Sequence, residues 1–141
     1  MKKLLIIIIL VLIVLVGCFW LWQNNRQIEE SNQYKDLIVL TQPKIGEYIS
    51  SPIIIEGRAR GNWFFEASFP VVIVDWDGLI VGQGIAQAQS EWMTTDYVPF
   101  QAEISFTKPT VKNNGWIILR KDNPSGLPQN DDAFEVPIFF R

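Results

Sequence analysis

The sequence of 141 residues contains no histidine and a single cysteine, Cys18. Without histidine there is no Ser-His or Cys-His nucleophile system, no histidine proton shuttle and no histidine-ligated zinc. A single cysteine excludes an intramolecular disulfide and any paired-cysteine metal or redox motif. These two absences exclude much of the chemistry on which enzymes depend.

Basic side chains are also in the minority. The chain has 12 Lys and Arg against 15 Asp and Glu, a net charge of -3, and a pI near 4.9. Because a protein that binds nucleic acid through its charge presents a basic face, we expect no nucleic-acid partner. Without Lys2 and Lys3 the chain carries 10 basic and 15 acidic residues, a net charge of -5. Attachment to anionic wall polymers would therefore need a specific site.

A long apolar run opens the chain. Lys2 and Lys3 are followed by Leu4 to Trp22, which is 19 residues without a charge. A helix of this length would be about 28 Å long, close to the ~30 Å hydrocarbon core of a bilayer. By the positive-inside rule the two lysines would stay in the cytoplasm, and the chain after Trp22 would lie outside. Residues 1–22 are therefore predicted to be a membrane anchor.

A second interpretation of this segment stays open. The sequence Leu-Val-Gly-Cys that ends at Cys18 resembles the lipobox of bacterial lipoproteins, in which a small residue before the cysteine allows cleavage. The resemblance implies that residues 1–17 are a signal peptide and that Cys18 becomes the lipidated N-terminus. Residues 19–22 depart from this pattern, since the stretch after a lipidated cysteine is usually polar. Both interpretations tether the rest of the chain outside the cytoplasmic membrane.

The remainder is predicted to be a polar linker at residues 23–36 and one all-β domain at residues 37–141. The linker has too few apolar side chains to order itself. In the domain, residues 100–107 alternate apolar and polar side chains, which is typical of a half-buried strand. The pair Asp77-Gly78 between two apolar runs predicts a hairpin. About seven such short strands, with no sustained helical period after Asp36, favour a β-sandwich of immunoglobulin-like size.

Six groups of short motifs follow one another along this domain. They are Pro43–Gly46 with Ser50–Pro52 and Glu56–Ala59, Trp63–Phe69, Asp77-Gly78 with Gly82–Gly84 and Ala86, Trp92-Met93 with Val98–Phe100, Lys121–Gly126, and Val136–Phe140. In this order they make residues 38–140 resemble the immunoglobulin-like domain family of bacterial spore germination. The resemblance implies an immunoglobulin-like β-sandwich with no known catalytic residues, secreted or attached to the cell surface. It also implies a germination-related setting, although some members occur in bacteria not known to make spores.

Two acidic segments contain residue types that serve in calcium binding or in catalysis. Asp75 to Gly78 begins like a calcium loop, but Ala86 stands at the twelfth position, where a carboxylate is required. Asp75 and Asp77 could form a glycosidase pair, but Asp77 is better used in the hairpin turn. We therefore predict no catalytic residue, no cofactor and no metal site. Two interpretations of the oxygen-rich loop at residues 121–133 stay open. The loop binds calcium, or it is a solvated loop closed by its own Asx turns.

The predicted ligand or partner surface is formed by Trp92 and Tyr97. Both lie near the polar loop at residues 90–99, and exposed aromatic rings beside amides and carboxylates are typical of sugar-binding and protein-docking surfaces. The alternative is that Trp92 caps one end of the sandwich. Arg58 and Arg60 alternate on one strand face, where they would contact anions or solvent.

Taken together, these features predict a non-enzymatic, membrane-tethered module outside the cytoplasm. Its expected role is protein–protein interaction at the bacterial cell envelope. The alternative is a module that binds peptidoglycan or another envelope glycan. The expected partners are therefore the membrane, through the N-terminal anchor, and an envelope protein or glycan.

Overall fold

The computed structural model describes residues 12–23 and 36–141. Residues 12–23 are helical, and within the described residues no helix is long and apolar enough to cross a bilayer. The predicted anchor at residues 1–22 lies partly outside the described residues, and the predicted linker at residues 23–36 lies almost wholly outside them. Both therefore stay predictions.

Eight strands and two short 3-10 helices make up the unit from Asp36 to Arg141. The strands are β1 (Ile38–Gln42), β2 (Tyr48–Ile49), β3 (Ile53–Arg60), β4 (Ser68–Asp75), β5 (Ile80–Ala88), β6 (Tyr97–Ile104), β7 (Asn114–Arg120) and β8 (Ala133–Phe140). The 3-10 helices are Gly61–Trp63 and Pro128–Asn130. The all-β prediction is confirmed, and the two-residue strand β2 brings the number of strands to eight.

The strands form one curled sheet in the order β1–β3–β6–β5–β4–β7–β8–β2. All neighbouring strands are antiparallel except β2 and β8, which are parallel. Between β5 and β6 the ladder is short, with Gln87 opposite Gln101 and Ala88 opposite Phe100. We divide the curled sheet at this seam into two layers, which are β1–β3–β6 and β5–β4–β7–β8–β2, because side chains of β4 and β6 meet in the core although these strands are not neighbours.

The hydrophobic core lies between these two layers. Phe69 of β4 makes an edge contact with Phe100 of β6, with ring centroids 4.9 Å apart, although the two strands are not neighbours in the sheet. Phe64 extends this aromatic contact, with its ring centroid 5.2 Å from that of Phe69. At a second position Phe106 meets Phe140 at 5.3 Å. Because the chain has no disulfide, this packing must hold the layers together.

One glycine in each layer makes room for an aromatic ring. A Cβ atom on Gly57 of β3 would overlap the carbonyl oxygen of Val39 and lie 2.7 Å from the ring of Phe100. A Cβ atom on Gly115 of β7 would overlap the carbonyl oxygen of Val74 and lie 2.7 Å from the ring of Phe140. These two positions therefore require glycine for close approach rather than for a turn.

Candidate interaction surface

Tyr97, one of the two predicted surface residues, lies beneath two arginines. The Cζ atom of Arg60 is 4.0 Å from the centroid of the Tyr97 ring, and the Cζ atom of Arg58 is 5.1 Å from it. The register of β3 and β6 explains this contact, because it places Arg60 directly opposite Tyr97 and Arg58 opposite Pro99. Antiparallel partners on one face bring their side chains together.

Trp92, the other predicted surface residue, is half-buried and packs against the core. Its loop lies close to the 3-10 helix that begins at Gly61, where a Cβ atom would overlap the carbonyl oxygen of Thr94. The structure therefore brings Tyr97 together with the arginines of β3, and it brings Trp92 together with the core. Their role as a ligand or partner surface stays a prediction.

Cys18 is exposed within the helix at residues 12–23. Its lipidation therefore also stays a prediction.

The two aspartates of the β4–β5 hairpin have different roles. Asp75 is buried, and its Oδ1 accepts hydrogen bonds from the backbone N–H groups of Asp77 and Leu79, each at 2.9 Å. Gly78 completes the turn with a φ of 83°. The predicted hairpin is confirmed, but Asp75, rather than Asp77, supplies the carboxylate that closes it. This carboxylate has a structural role in an Asx-type turn.

The loop at residues 121–133 is stabilised by hydrogen bonds between its own residues. The Nδ2 group of Asn123 donates to the carbonyl oxygen of Leu127 at 2.9 Å and to Oδ1 of Asp131 at 2.7 Å. The backbone N–H of Ala133 donates to Oδ1 of Asp132 at 2.9 Å. Within residues 12–23 and 36–141, no group of three or more His, Cys, Asp or Glu residues is arranged to hold a metal ion.

The outward side of β3 and β6 is largely polar, and we call it the polar face. Its polar and aromatic members are Glu56, Arg58, Arg60, Tyr97, Gln101 and Glu103. The face is internally connected, since Nε2 of Gln101 donates a 2.6 Å hydrogen bond to Oε1 of Glu56. The residues between them along each strand point into the core. This is the ordinary alternation of an antiparallel sheet with one wet face.

The outward side of β4, β5 and β7 differs sharply, and we call it the apolar face. Its apolar members are Val72, Val74, Ile80, Ile85, Trp116 and Ile118, and Pro70, Gln83 and Arg120 lie on the same side. The register places Val72 beside Ile118 and Val74 between Ile80 and Trp116. Inward-facing Val71 and Ile73 separate these positions along β4, so β4 is apolar on both sides.

The centre of the apolar face is buried, and the residues around it are partly exposed to solvent. Val72 and Val74 are only 6% and 8% exposed, although they point away from the core. Ile80, opposite Val74, and Ile85, opposite Pro70, are about half exposed, at 51% and 50%. Val72 and Ile118 have polar neighbours on both sides, because Gln83 lies opposite Val72 on β5, between Ile80 and Ile85, and Glu135 lies opposite Ile118 on β8.

The sequence carries a signal for the apolar face that none of the predictions above used. Residues 71–74 and 116–119 are unbroken apolar runs rather than alternating ones. Such runs are typical of strands that are covered on both sides. The runs can be interpreted only with the strand order, which shows that β4 and β7 are neighbours. Among the described strands, none is placed over the outward side of this pair.

This architecture defines an immunoglobulin-like β-sandwich. Its two antiparallel layers are joined by connections that cross from one layer to the other. The first two strands lie in different layers, with β1 beside β3 and β2 beside β8. The sequence pattern of the immunoglobulin-like domain of bacterial spore germination matches residues 37–126, more than half of the chain. The chain belongs to this family. No curated protein and no solved structure matches it.

Family membership confirms the predicted resemblance and the predicted fold. Domains of this family are typically non-catalytic, and the family supports a general role as a binding or interaction module. The fold itself hosts many functions, so a more specific role must be argued from the surface.

Proposed function

We propose that this chain is a non-enzymatic, membrane-tethered module that binds another protein at the outer side of the bacterial cell envelope. The observation that carries the proposal is the apolar face. Interfaces between proteins have an apolar centre, depleted in charge, within a polar rim. Val72, Val74 and Trp116 supply such a centre, and Gln83 and Glu135 supply parts of such a rim.

The energetics favour a protein partner on this face. Fully burying an isoleucine side chain contributes about 1.5–3 kcal/mol, so covering the exposed halves of Ile80 and Ile85 would contribute about 1 kcal/mol each. Clustered apolar side chains with a polar surround are typical of sites of interaction between proteins. The occupant that fits it is a protein surface that is itself apolar at its centre.

The tether in this proposal is the N-terminal segment. The uncharged run from Leu4 to Trp22 supports an uncleaved anchor, and the Gly17-Cys18 pair supports a lipoprotein. Intact-mass analysis of the protein extracted from membranes separates the two. Loss of residues 1–17 with a gain of acyl chains would favour the lipoprotein, and an unmodified full-length mass would favour the anchor.

Family membership adds a direction to the search for the partner. Because the family takes its name from spore germination, envelope proteins that act in germination are the first candidates in a spore-forming host. A germination role would follow only from a partner of that kind.

The direct test compares two variants with the same chemical change. Ile80→Gln with Ile85→Gln alters the apolar face, and Ile45→Gln with Ile54→Gln alters two exposed isoleucines elsewhere. The full-length proteins are purified in detergent and immobilised, and solubilised envelope proteins are passed over them. The proposal expects a protein that the wild type and the Ile45/Ile54 variant retain and the Ile80/Ile85 variant loses. Equal retention by both variants would contradict it.

A glycan ligand is the alternative, and it would use Trp92 and Tyr97. Both rings are half-buried, one against the core and the other beneath two arginines. Co-sedimentation of the protein with isolated cell walls distinguishes the two functions. Binding that survives physiological salt and is competed by soluble wall fragments would favour the glycan, and no binding would favour the protein partner.

A further inference from the structure

The two arginines on the polar face are held by different means. Arg60 is anchored, because its Nε donates to the carbonyl oxygen of Asp36 at 3.1 Å and its guanidinium donates to the carbonyl oxygen of Thr95 at 3.3 Å. Arg58 is exposed, and its guanidinium lies over the ring of Tyr97. Two cations are thus gathered around one aromatic ring, which attracts both of them.

Neither arginine is neutralised within the part of the chain that the structure describes. No ion pair joins Arg58 or Arg60 to a carboxylate there, and Glu56, the nearest carboxylate on the outward side of β3, accepts its hydrogen bond from Gln101 instead. The side chain of Arg58 carries five N–H donors in a planar fork that matches a carboxylate. Like charges held side by side repel each other, so an anion between them would be favoured.

The spacing of the arginines indicates the shape of the ligand. Arg58 and Arg60 are alternate residues of β3, so their backbone positions are about 6.6 Å apart. Alternate residues of any extended peptide have the same spacing. A segment that carries acidic side chains at alternate positions would therefore present one carboxylate to each arginine.

We infer that Arg58, Arg60 and Tyr97 form a recognition site for an extended acidic protein segment with carboxylates at alternate positions. The inference rests on the proposed protein-binding function but uses the polar face rather than the apolar one. Arg58 makes the charge-assisted contact that decides the affinity for the segment, since Arg60 already donates hydrogen bonds to backbone carbonyl oxygens. The ring of Tyr97 holds both guanidiniums in place.

The test uses the full-length protein in detergent and two fluorescent peptides of equal composition. One peptide has two glutamates separated by a single threonine, and its isomer has the glutamates separated by two threonines. Binding is measured by fluorescence anisotropy for the wild type, Arg58→Gln and Arg58→Lys. Arg120→Gln is the matched control, because it removes the same charge from an exposed arginine at the end of β7.

The inference expects the wild type to prefer the alternating peptide. Arg58→Gln should weaken that binding about fivefold, which is the size of a favourable exposed ion pair, while Arg120→Gln changes it less than about twofold. Arg58→Lys should restore only part of the affinity, because lysine lacks the planar fork. The variant with Ile80→Gln and Ile85→Gln should bind the peptide normally, which separates this inference from the proposal for the apolar face.

Four results would overturn the inference. They are equal affinity for the two peptides, equal weakening by Arg58→Gln and Arg120→Gln, absence of peptide binding by the wild type, and tighter binding of polyphosphate than of the alternating peptide. The last result would assign the arginines to a phosphate polymer.

Discussion

The two layers of the sandwich cover the same core but present opposite surfaces on their outer sides. On β3 and β6 the outward positions hold charged and amide side chains such as Arg58, Gln101 and Glu103. On β4 and β7 the equivalent positions hold Val72 and Ile118. Since both layers have the same backbone alternation, the fold does not require this difference. This difference is the basis for the proposal that the second layer binds another protein.

The contrast also separates two kinds of recognition. The apolar face would gain binding energy from removing side chains from water, which is largely independent of salt. The arginines around Tyr97 would gain it from charge-assisted contacts, which salt weakens at exposed sites. A partner that contacts both faces would therefore show binding with one salt-sensitive and one salt-insensitive component.

The largest effect is expected in the interior that both layers share. Phe69→Ala removes a fully buried ring that contacts Phe64 and Phe100 between the layers. We expect it to lower the free energy of unfolding by about 3–5 kcal/mol, because it leaves a cavity. Urea denaturation followed by tryptophan fluorescence measures this loss. A loss below about 1 kcal/mol would show that the layers are held together elsewhere.

A smaller effect is expected on binding by the apolar face. Replacing Ile80 and Ile85 with glutamine should weaken the complex with the envelope partner by about 2 kcal/mol, or about 30-fold, because about half of each side chain is left to be covered. Titration of the purified partner against the immobilised protein measures the change. A change no larger than that caused by Ile45→Gln with Ile54→Gln would remove the distinction between the faces.

Introducing threonine should lower the free energy of unfolding more on the apolar face than on the polar face. Val72→Thr places a hydroxyl at a position that is 6% exposed and should lower the free energy of unfolding by about 1–2 kcal/mol. Glu103→Thr on the exposed outer side of β6 should change it by less than about 0.5 kcal/mol. Thermal melts of the two variants, recorded side by side, test the difference. Equal losses of unfolding free energy in the two variants would mean that the centre of the apolar face is not shielded from solvent.

The smallest effect is expected at the exposed arginine. Arg58→Ala removes one cation from the ring of Tyr97 and should cost at most about 0.5–1 kcal/mol of stability. This small cost would leave Arg58 available for ligand binding rather than for folding. The same denaturation assay measures it, and a loss above about 2 kcal/mol would assign Arg58 a structural role instead.

Much of the fold could be predicted because its signals are local. The alternation at residues 100–107 and the Asp77-Gly78 turn each depend on neighbouring residues, and both features are present in the structure. The family resemblance supplied the way in which the strands are combined. The identity of the turn carboxylate was not predictable in this way, since Asp75 and Asp77 have the same chemistry and only the geometry distinguishes them.

The surfaces could not be predicted because they depend on strand order and register. Tyr97 meets Arg60 only because β3 pairs with β6 in one register, and a shift of one residue would put Tyr97 beside the inward-facing Ala59. Val72 and Ile118 become one surface only because β4 and β7 are neighbours. In both cases residues far apart in the sequence define the site, so a pattern confined to one segment cannot show it.

The central claim is that the apolar face is covered by another protein, and photo-cross-linking in intact cells tests it most directly. A photoreactive amino acid is placed at Ile80 on the apolar face or at Ile45, an exposed residue between β1 and β2. We predict a discrete protein adduct from position 80 and none from position 45. An adduct from position 45 alone, adducts of equal yield from both positions, or no adduct from either would contradict the claim.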